Sequence, residues 1–236
     1  MKEKIPAIQD AMRKQGYPGL ATRRIEVETF APGASAPTKE EAREQWEFLN
    51  KDRTSSILVD QESVALQTTR YPAFEDYLEK LAIALKVVQE HAEPSLMLRL
   101  GLRYVDLISP REPNDLQFYV KPELRGMSFS NLGKKRAMMC ESIVETDKRS
   151  KLVVRYVEGV SGFAFPPDLL PMSLAFTRNP VQKSPFGLLE FDHFTEESMD
   201  YSIGTVKSQA WMLHSVLEKA FKASVLPAAL KEWGEA

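Results

Sequence analysis

The stretch of sequence that decides the fold is Ser95-Leu-Met-Leu-Arg-Leu-Gly-Leu-Arg-Tyr-Val-Asp-Leu-Ile-Ser109. From Leu96 to Leu102, a leucine recurs at every second position. Side chains of a β-strand alternate between the two faces of a sheet, so this pattern predicts a long central strand with one face buried by leucine. We expect Leu98, Leu100 and Leu102 to form part of that buried face.

Arg99 and Arg103 belong to the opposite phase of this strand and flank Gly101. The glycine leaves room for a ligand or another backbone between two guanidinium groups, which indicates an anion cradle. The alternative is that each arginine forms a cross-strand ion pair, with Glu141 or Glu145 as the candidate partners. The sequence leaves both interpretations open.

The elements on either side of this strand follow a repeated order. Three short strands and a helix are predicted over 46–91, and the same order is predicted again over 137–223. We therefore predict one α+β domain over 1–236, with two pseudo-repeated βββα-like halves at about 20–110 and 136–225. The sheet is predicted to be mainly antiparallel, with the two long helices packed on one face.

Apolar residues at spacings of three and four place the two long helices at 73–91 and 203–221. Ile5, Ile8 and Met12 predict a shorter amphipathic helix near the start of the chain. Residues 31–38, rich in proline and small side chains, predict a loop.

Composition and charge exclude several classes of protein. Of 236 residues, 43% are hydrophobic and 27% are charged, which is typical of a globular protein. The formal net charge of −2 disfavours nucleic-acid binding, except through the region 95–155, where twelve Lys and Arg stand against seven Asp and Glu. The single cysteine, Cys140, excludes a disulfide-dependent secreted scaffold, and no window is apolar enough to span a membrane. We expect a cytoplasmic protein that does not bind membranes.

No pattern of catalytic residues is evident. A phosphate-binding glycine loop is missing, and Asp192 and His193 are strand neighbours that point to opposite faces, so the carboxylate cannot orient the imidazole. His193 is therefore predicted to have a structural role. We expect His214 to have a packing or surface role, and Cys140 to act as a small hydrophobic residue. We expect no catalytic residue, no metal and no cofactor.

The order of motifs resembles that of an uncharacterised, sporadically distributed prokaryotic family. The resemblance rests on Trp46-Glu-Phe-Leu-Asn-Lys-Asp, on a hairpin ending at Tyr71, on Leu100-Gly-Leu-Arg-Tyr-Val-Asp-Leu-Ile108, and on the C-terminal helix with Leu213-His214. Asp106 stands where that family is expected to carry asparagine. The resemblance implies no catalytic residue, but it implies genes carried in mobile, defence-related operons. Together with the two arginines, Tyr104 and Asp106 of this motif complete our set of candidate binding residues.

These observations support three hypotheses about function. The first is a non-enzymatic accessory or regulatory protein that binds a protein partner, a neighbouring-gene product of a defence or CRISPR-linked operon, through its open sheet face and loops. The second is a regulator that binds a small anion or nucleotide through Arg99 and Arg103. The third is a hydrolase or nuclease with a site assembled from dispersed residues.

Overall fold

The computed structural model describes residues 1–29, 39–127, 131–170 and 172–234, with the backbone alone over 25–29 and 39–42. The fold is α+β with mainly antiparallel sheets, as the sequence predicts. The chain divides into two compact units, the first formed by 1–95 and 172–177 and the second by 96–171 and 178–236. The loop predicted over 31–38 lies outside the described residues.

The first unit is built on a four-stranded antiparallel sheet whose strands follow chain order. Its elements are α1 (Ile5–Lys14), β1 (Gly19–Thr29), β2 (Lys39–Leu49), β3 (Ser55–Val59), β4 (Val64–Thr68) and α2 (Phe74–Ala92). Helix α1 packs against α2 and β2, and α2 packs against β4. The centre of this core is formed by six side chains with no exposed surface: Ile8, Met12, Phe48, Ile57, Val59 and Ala84.

The segment Met172–Thr177 is distant in sequence but belongs to the first unit. The backbone N–H of Ala175 donates to the carbonyl of Arg53 over 2.7 Å, and the Thr69 hydroxyl donates to the carbonyl of Ala175 over 2.7 Å. The Arg53 guanidinium donates twice to the carbonyl of Ser173. These bonds fasten the segment to the β2–β3 connection and to the residue that follows β4.

The second unit contains a four-stranded sheet in the order β6-β11-β8-β7, with every neighbouring pair antiparallel. Its elements are β5 (Leu96–Met97), β6 (Leu100–Ile108), α3 (Leu116–Tyr119), β7 (Ala137–Asp147), β8 (Ser150–Gly159), β9 (Gly162–Phe163), β10 (Val181–Gln182), β11 (Phe186–Thr195), β12 (Met199–Asp200), α4 (Ile203–Ser224) and α5 (Pro227–Trp233). Two further pairs, β5 with β12 and β9 with β10, form short two-stranded sheets.

The predicted central strand is wrong in two respects. It is divided into β5 and β6, and β6 is the first strand in the order of its sheet rather than an interior one. Since β5 pairs with β12 while β6 pairs with β11, the alternation is interrupted between them. Leu98 lies in this interruption and is 67% exposed, whereas Leu102 in β6 is 6% exposed.

Helix α4 packs against β6 and β11 and so covers one face of the second sheet, which we call the helix face. The helix begins where the Ser202 hydroxyl accepts a hydrogen bond from the backbone N–H of Thr205. Phe191 of β11 meets Phe221 of α4 edge to face. We call the opposite face, which carries Arg103 and Glu190, the charged face.

Three strands followed by a helix occur in both units. In the first unit β2, β3 and β4 precede α2, and in the second β7, β8 and β11 precede α4. Strand β6 belongs to the second sheet through its pairing with β11, although the predicted first half, about 20–110, includes it. A single domain over 1–236 stays a prediction.

Candidate functional site

The antiparallel register arranges the side chains of the charged face in four rows that run from β7 through β8 and β11 to β6. These rows are Met139–Val157–Leu188–Leu107, Glu141–Arg155–Glu190–Val105, Ile143–Val153–Asp192–Arg103 and Glu145–Lys151–Phe194–Gly101. The first row is apolar and the other three mix charged and apolar side chains. Charges of both signs are therefore interspersed with hydrophobic groups on this face.

Glu190 joins the two central arginines of the charged face. It is 4% exposed, and its Oε1 accepts from Arg103 Nη2 over 2.7 Å and from Arg155 Nη1 over 2.9 Å. Arg103 also donates to both carboxylate oxygens of Asp168, over 2.6 and 3.2 Å. Arg155 donates twice to Glu141, over 2.8 and 2.5 Å. The ion-pair partners suggested by the sequence are thus incorrect for Arg103, which pairs with Asp168 and Glu190.

Arg99 is exposed and lies outside this network of ion pairs. Its Cζ is 4.4 Å from the centroid of the Phe194 ring, a cation–π contact. A Cβ built on Gly101 would lie 3.3 Å from Arg99 Nη1 and 3.3 Å from Phe194 Cβ. The room that Gly101 leaves is therefore occupied by these two side chains rather than open between the guanidinium groups of Arg99 and Arg103.

Burial and charge shift several pKa values on this face. Burial raises the pKa of Asp192, against the opposing effect of Arg99 and Arg103. The hydrogen bond from Arg103 lowers the pKa of Asp168. Burial by itself would lower the pKa of Arg103, but its hydrogen bond to Asp168 and the charge of Glu190 outweigh burial, and the pKa is raised. Arg103 is consequently held as a cation between carboxylates.

The four predicted binding residues do not form one site. Arg103 and the stacked Arg99 lie on the charged face, whereas Tyr104 and Asp106 alternate with Arg103 and lie on the helix face. The Tyr104 hydroxyl is 3.1 Å from Nδ1 of His214 in α4, and the two rings meet edge to face. Neighbouring residues of a strand point to opposite faces of the sheet, so nearness in sequence does not place them in one site.

His193 is buried on the helix face and both of its ring nitrogens are engaged. Nδ1 lies 3.1 Å from the carbonyl oxygen of Leu213, and because a carbonyl only accepts, Nδ1 must carry the proton. In the neutral ring, Nε2 then accepts from the Thr146 hydroxyl over 2.8 Å. This geometry joins β7, β11 and α4, in agreement with the predicted structural role.

Sequence reasoning did not identify the residues that organise the charged face. Glu190 carries a detectable signal, since it is an acidic residue within the apolar run Leu188–Phe191 and is in the same phase as Asp192. Asp168 follows two prolines in a connection without periodicity and carries no such signal. The sequence pattern places Met139 and Ile143 in a strand without indicating their exposure, and they are 69% and 63% exposed.

Within the described ranges, no group of three or more His, Cys, Asp or Glu side chains is arranged to hold a metal ion. Among the helices of the same residues, none has the length and apolar character needed to span a membrane.

The fold and the charged face define an α+β protein whose second sheet has one face covered by a helix. Comparison with known proteins extends this class no further, because no family model, curated protein or solved structure matches the chain. The resemblance based on the sequence motifs stays a prediction.

Proposed function

We propose that the protein is a non-enzymatic accessory or regulatory protein that binds a protein partner through the charged face of its second unit. The observation that carries this proposal is the exposure of Met139 and Ile143 on either side of the Glu141–Arg155 ion pair. Exposed apolar side chains grouped beside charged ones are typical of protein-binding surfaces. The exposed, aromatic-stacked Arg99 adds a residue type that is enriched in such interfaces.

The arrangement supports a protein partner more than a small anion. An anion cradle needs two arginines with available donors, and Arg103 already donates to Asp168 and Glu190. The space beside Gly101 is filled by Arg99 and Phe194. A partner surface with both apolar and charged groups fits the alternating rows better than a single compact anion does.

The resemblance to a sporadically distributed prokaryotic family supports the choice of the first partners to test. Its implication of mobile, defence-related or CRISPR-linked operons makes the products of neighbouring genes the first candidates. We further propose that the encounter takes place in the cytoplasm, since a chain whose single cysteine is Cys140 needs no oxidising compartment to fold.

The experiment is co-expression of the full chain with each neighbouring gene product, followed by calorimetric titration of the pair that co-purifies. Arg99→Gln and Met139→Ser should each weaken the affinity about tenfold, which corresponds to about 1.4 kcal/mol. The matched control is Met212→Ser, which changes an exposed methionine on α4 and should leave the affinity unchanged.

Unchanged affinity in both charged-face variants would contradict the proposal. Nucleotide and inorganic phosphate are titrated in the same way. A micromolar anion affinity that is lost in Arg99→Gln would favour the small-anion regulator instead.

A further inference from the structure

We propose that β7 pairs antiparallel with β7 of a second copy of this chain, about a two-fold axis at Glu141. Such pairing would join two four-stranded sheets into one sheet of eight strands. The inference differs from the proposed function because it concerns the edge of the sheet, although Met139 and Ile143 belong both to this edge and to the charged face.

Strand β7 is an exposed edge with eleven residues, Ala137–Asp147. Among the described residues it pairs with β8 alone, and it is the last strand in the order of its sheet. Nine of its eleven residues are exposed, including Met139, Ile143 and Val144. A long edge with large apolar side chains is a template for strand addition, and proteins ordinarily protect such edges with short strands, charges or coverage.

The centre of β7, residues 138–144, is complementary to itself when it is reversed about Glu141. Antiparallel pairing about a two-fold axis at this residue sets residues at equal distance before and after it opposite one another. Around the axis, small residues then meet small ones and apolar residues meet apolar ones. The resulting pairs are Cys140 with Ser142, Met139 with Ile143 and Met138 with Val144, and farther out Ala137 meets Glu145.

This symmetry identifies a second copy as the occupant of the edge. An unrelated strand would have to supply apolar residues at four fixed positions, whereas the same strand reversed supplies all four. Apolar pairs directly opposite one another stabilise sheet pairing. In a two-fold dimer, every pair away from the axis occurs twice.

The residue on the axis would bring two carboxylates together, and the structure provides for their charge. Arg155 donates to Glu141 through both Nε and Nη2, so each carboxylate approaches the axis with its own guanidinium. The row across the axis would read Arg155, Glu141, and then the second copy's Glu141 and Arg155. Two like charges directly opposite one another still repel, so removing the acidic charge without changing its shape should strengthen the pairing.

The test begins with the mass of the purified full chain at increasing concentration, measured by light scattering in the absence of any other protein. We expect a shift from 26.8 kDa toward twice that mass. Ile143→Asp should weaken self-association at least tenfold, and Glu141→Gln should strengthen it. The matched control is Leu132→Asp, a substitution of an 84% exposed leucine outside β7, which should leave self-association unchanged.

Disulfide trapping then tests the register. Opposite residues of antiparallel strands have Cα atoms about 4.5 to 5.5 Å apart, within the range of a disulfide. An axis at Glu141 places Cys140 opposite the second copy's Ser142, so Ser142→Cys should give a reducible covalent dimer. Val144→Cys is the matched control, because Cys140 would meet that position only if the axis lay at Ser142.

A chain that stays at 26.8 kDa at every concentration would overturn the inference. A dimer trapped through Val144→Cys rather than Ser142→Cys would overturn the axis at Glu141, as would a loss of self-association in Leu132→Asp as large as in Ile143→Asp. Because each measurement is made without a partner protein, none of these results depends on the proposed function.

Discussion

Glu190 holds the charged face together, because a single carboxylate oxygen binds two guanidinium groups. Arg103 and Arg155 approach it from β6 and β8, the strands on either side of β11. A buried carboxylate is tolerated only when its charge is paired and hydrogen-bonded. The arginines on this face therefore differ in their contacts: Arg103 and Arg155 are paired with carboxylates, while Arg99 is exposed and stacks on Phe194.

The first prediction concerns the difference between Arg103 and Arg99. Arg103→Gln removes one of the two cations that neutralise Glu190, and we expect it to lower the free energy of unfolding by about 2 kcal/mol. Arg99→Gln removes an exposed cation–π contact and should change that free energy by less than about 0.5 kcal/mol. Urea unfolding of both variants provides the measurement, and equal losses would contradict the division of roles.

The second prediction concerns Asp192, whose pKa in the folded protein is raised by burial. Its contribution to stability is present below the ordinary carboxyl pKa of about 4 and is lost as the pH rises through the folded-state pKa. Asp192→Asn should remove the loss of stability that accompanies ionisation of this carboxyl, so the variant should be at least as stable as the parent at pH 7. Thermal unfolding between pH 3 and pH 7 measures the difference.

Asp168 provides the matched control for the Asp192 experiment. Its pKa is lowered by the hydrogen bond from Arg103, so its contribution is present above about pH 4 and is lost as the pH falls through the folded-state pKa. Asp168→Asn should thus cost stability at pH 7 and have no effect at the acidic end. A loss of stability at pH 7 in Asp192→Asn would show that attraction to the arginines outweighs burial.

At the scale of elements, the break between β5 and β6 divides leucines that look equivalent in sequence. Leu98 lies in the break and is exposed, while Leu102 points into the helix face and is buried. Strand β5 pairs with β12, whereas β6 pairs with β11. This change of partner interrupts the regular alternation of side chains. Periodicity within one stretch contains no information about which strands it pairs with.

The third prediction follows from this break. Leu102→Ala removes buried methyl groups and leaves a cavity, which should cost about 2 to 5 kcal/mol of unfolding free energy. Leu98→Ala should cost less than about 0.5 kcal/mol, because its side chain is already in contact with water. Chemical denaturation measures the free energy of unfolding of both variants. A large decrease in Leu98→Ala would contradict the break between β5 and β6.

At the scale of the whole molecule, the α+β class and the order of elements could be predicted because they depend on local patterns. The predicted helix at 73–91 is observed at Phe74–Ala92, and the predicted strands at 137–146 and 151–159 are observed as β7 and β8. The pairing of β6 with β11 could not be predicted, because it joins segments separated by the whole of β7 and β8.

The candidate site was predicted less completely for the same reason. Arg99 and Arg103 were found from the phase of one strand, and the structure places both on the charged face. The partners of Arg103 come from elsewhere in the chain: Glu190 from β11, and Asp168 from the proline-rich connection that precedes that strand. A sequence pattern identifies a charged residue, but only the tertiary fold determines which opposite charge it meets.

The attachment of Met172–Thr177 to the first unit makes this chain suited to split-protein complementation. A cut between Ser95 and Leu96 gives a fragment that lacks this segment and a fragment that carries it. The two fragments, expressed from separate genes, should reassemble because the longer one brings the missing backbone partners of Arg53 and Thr69. Ala175→Pro, which removes the N–H bonded to Arg53, should reduce recovery of the pair on affinity purification. Undiminished recovery would mean that other contacts hold the fragments together.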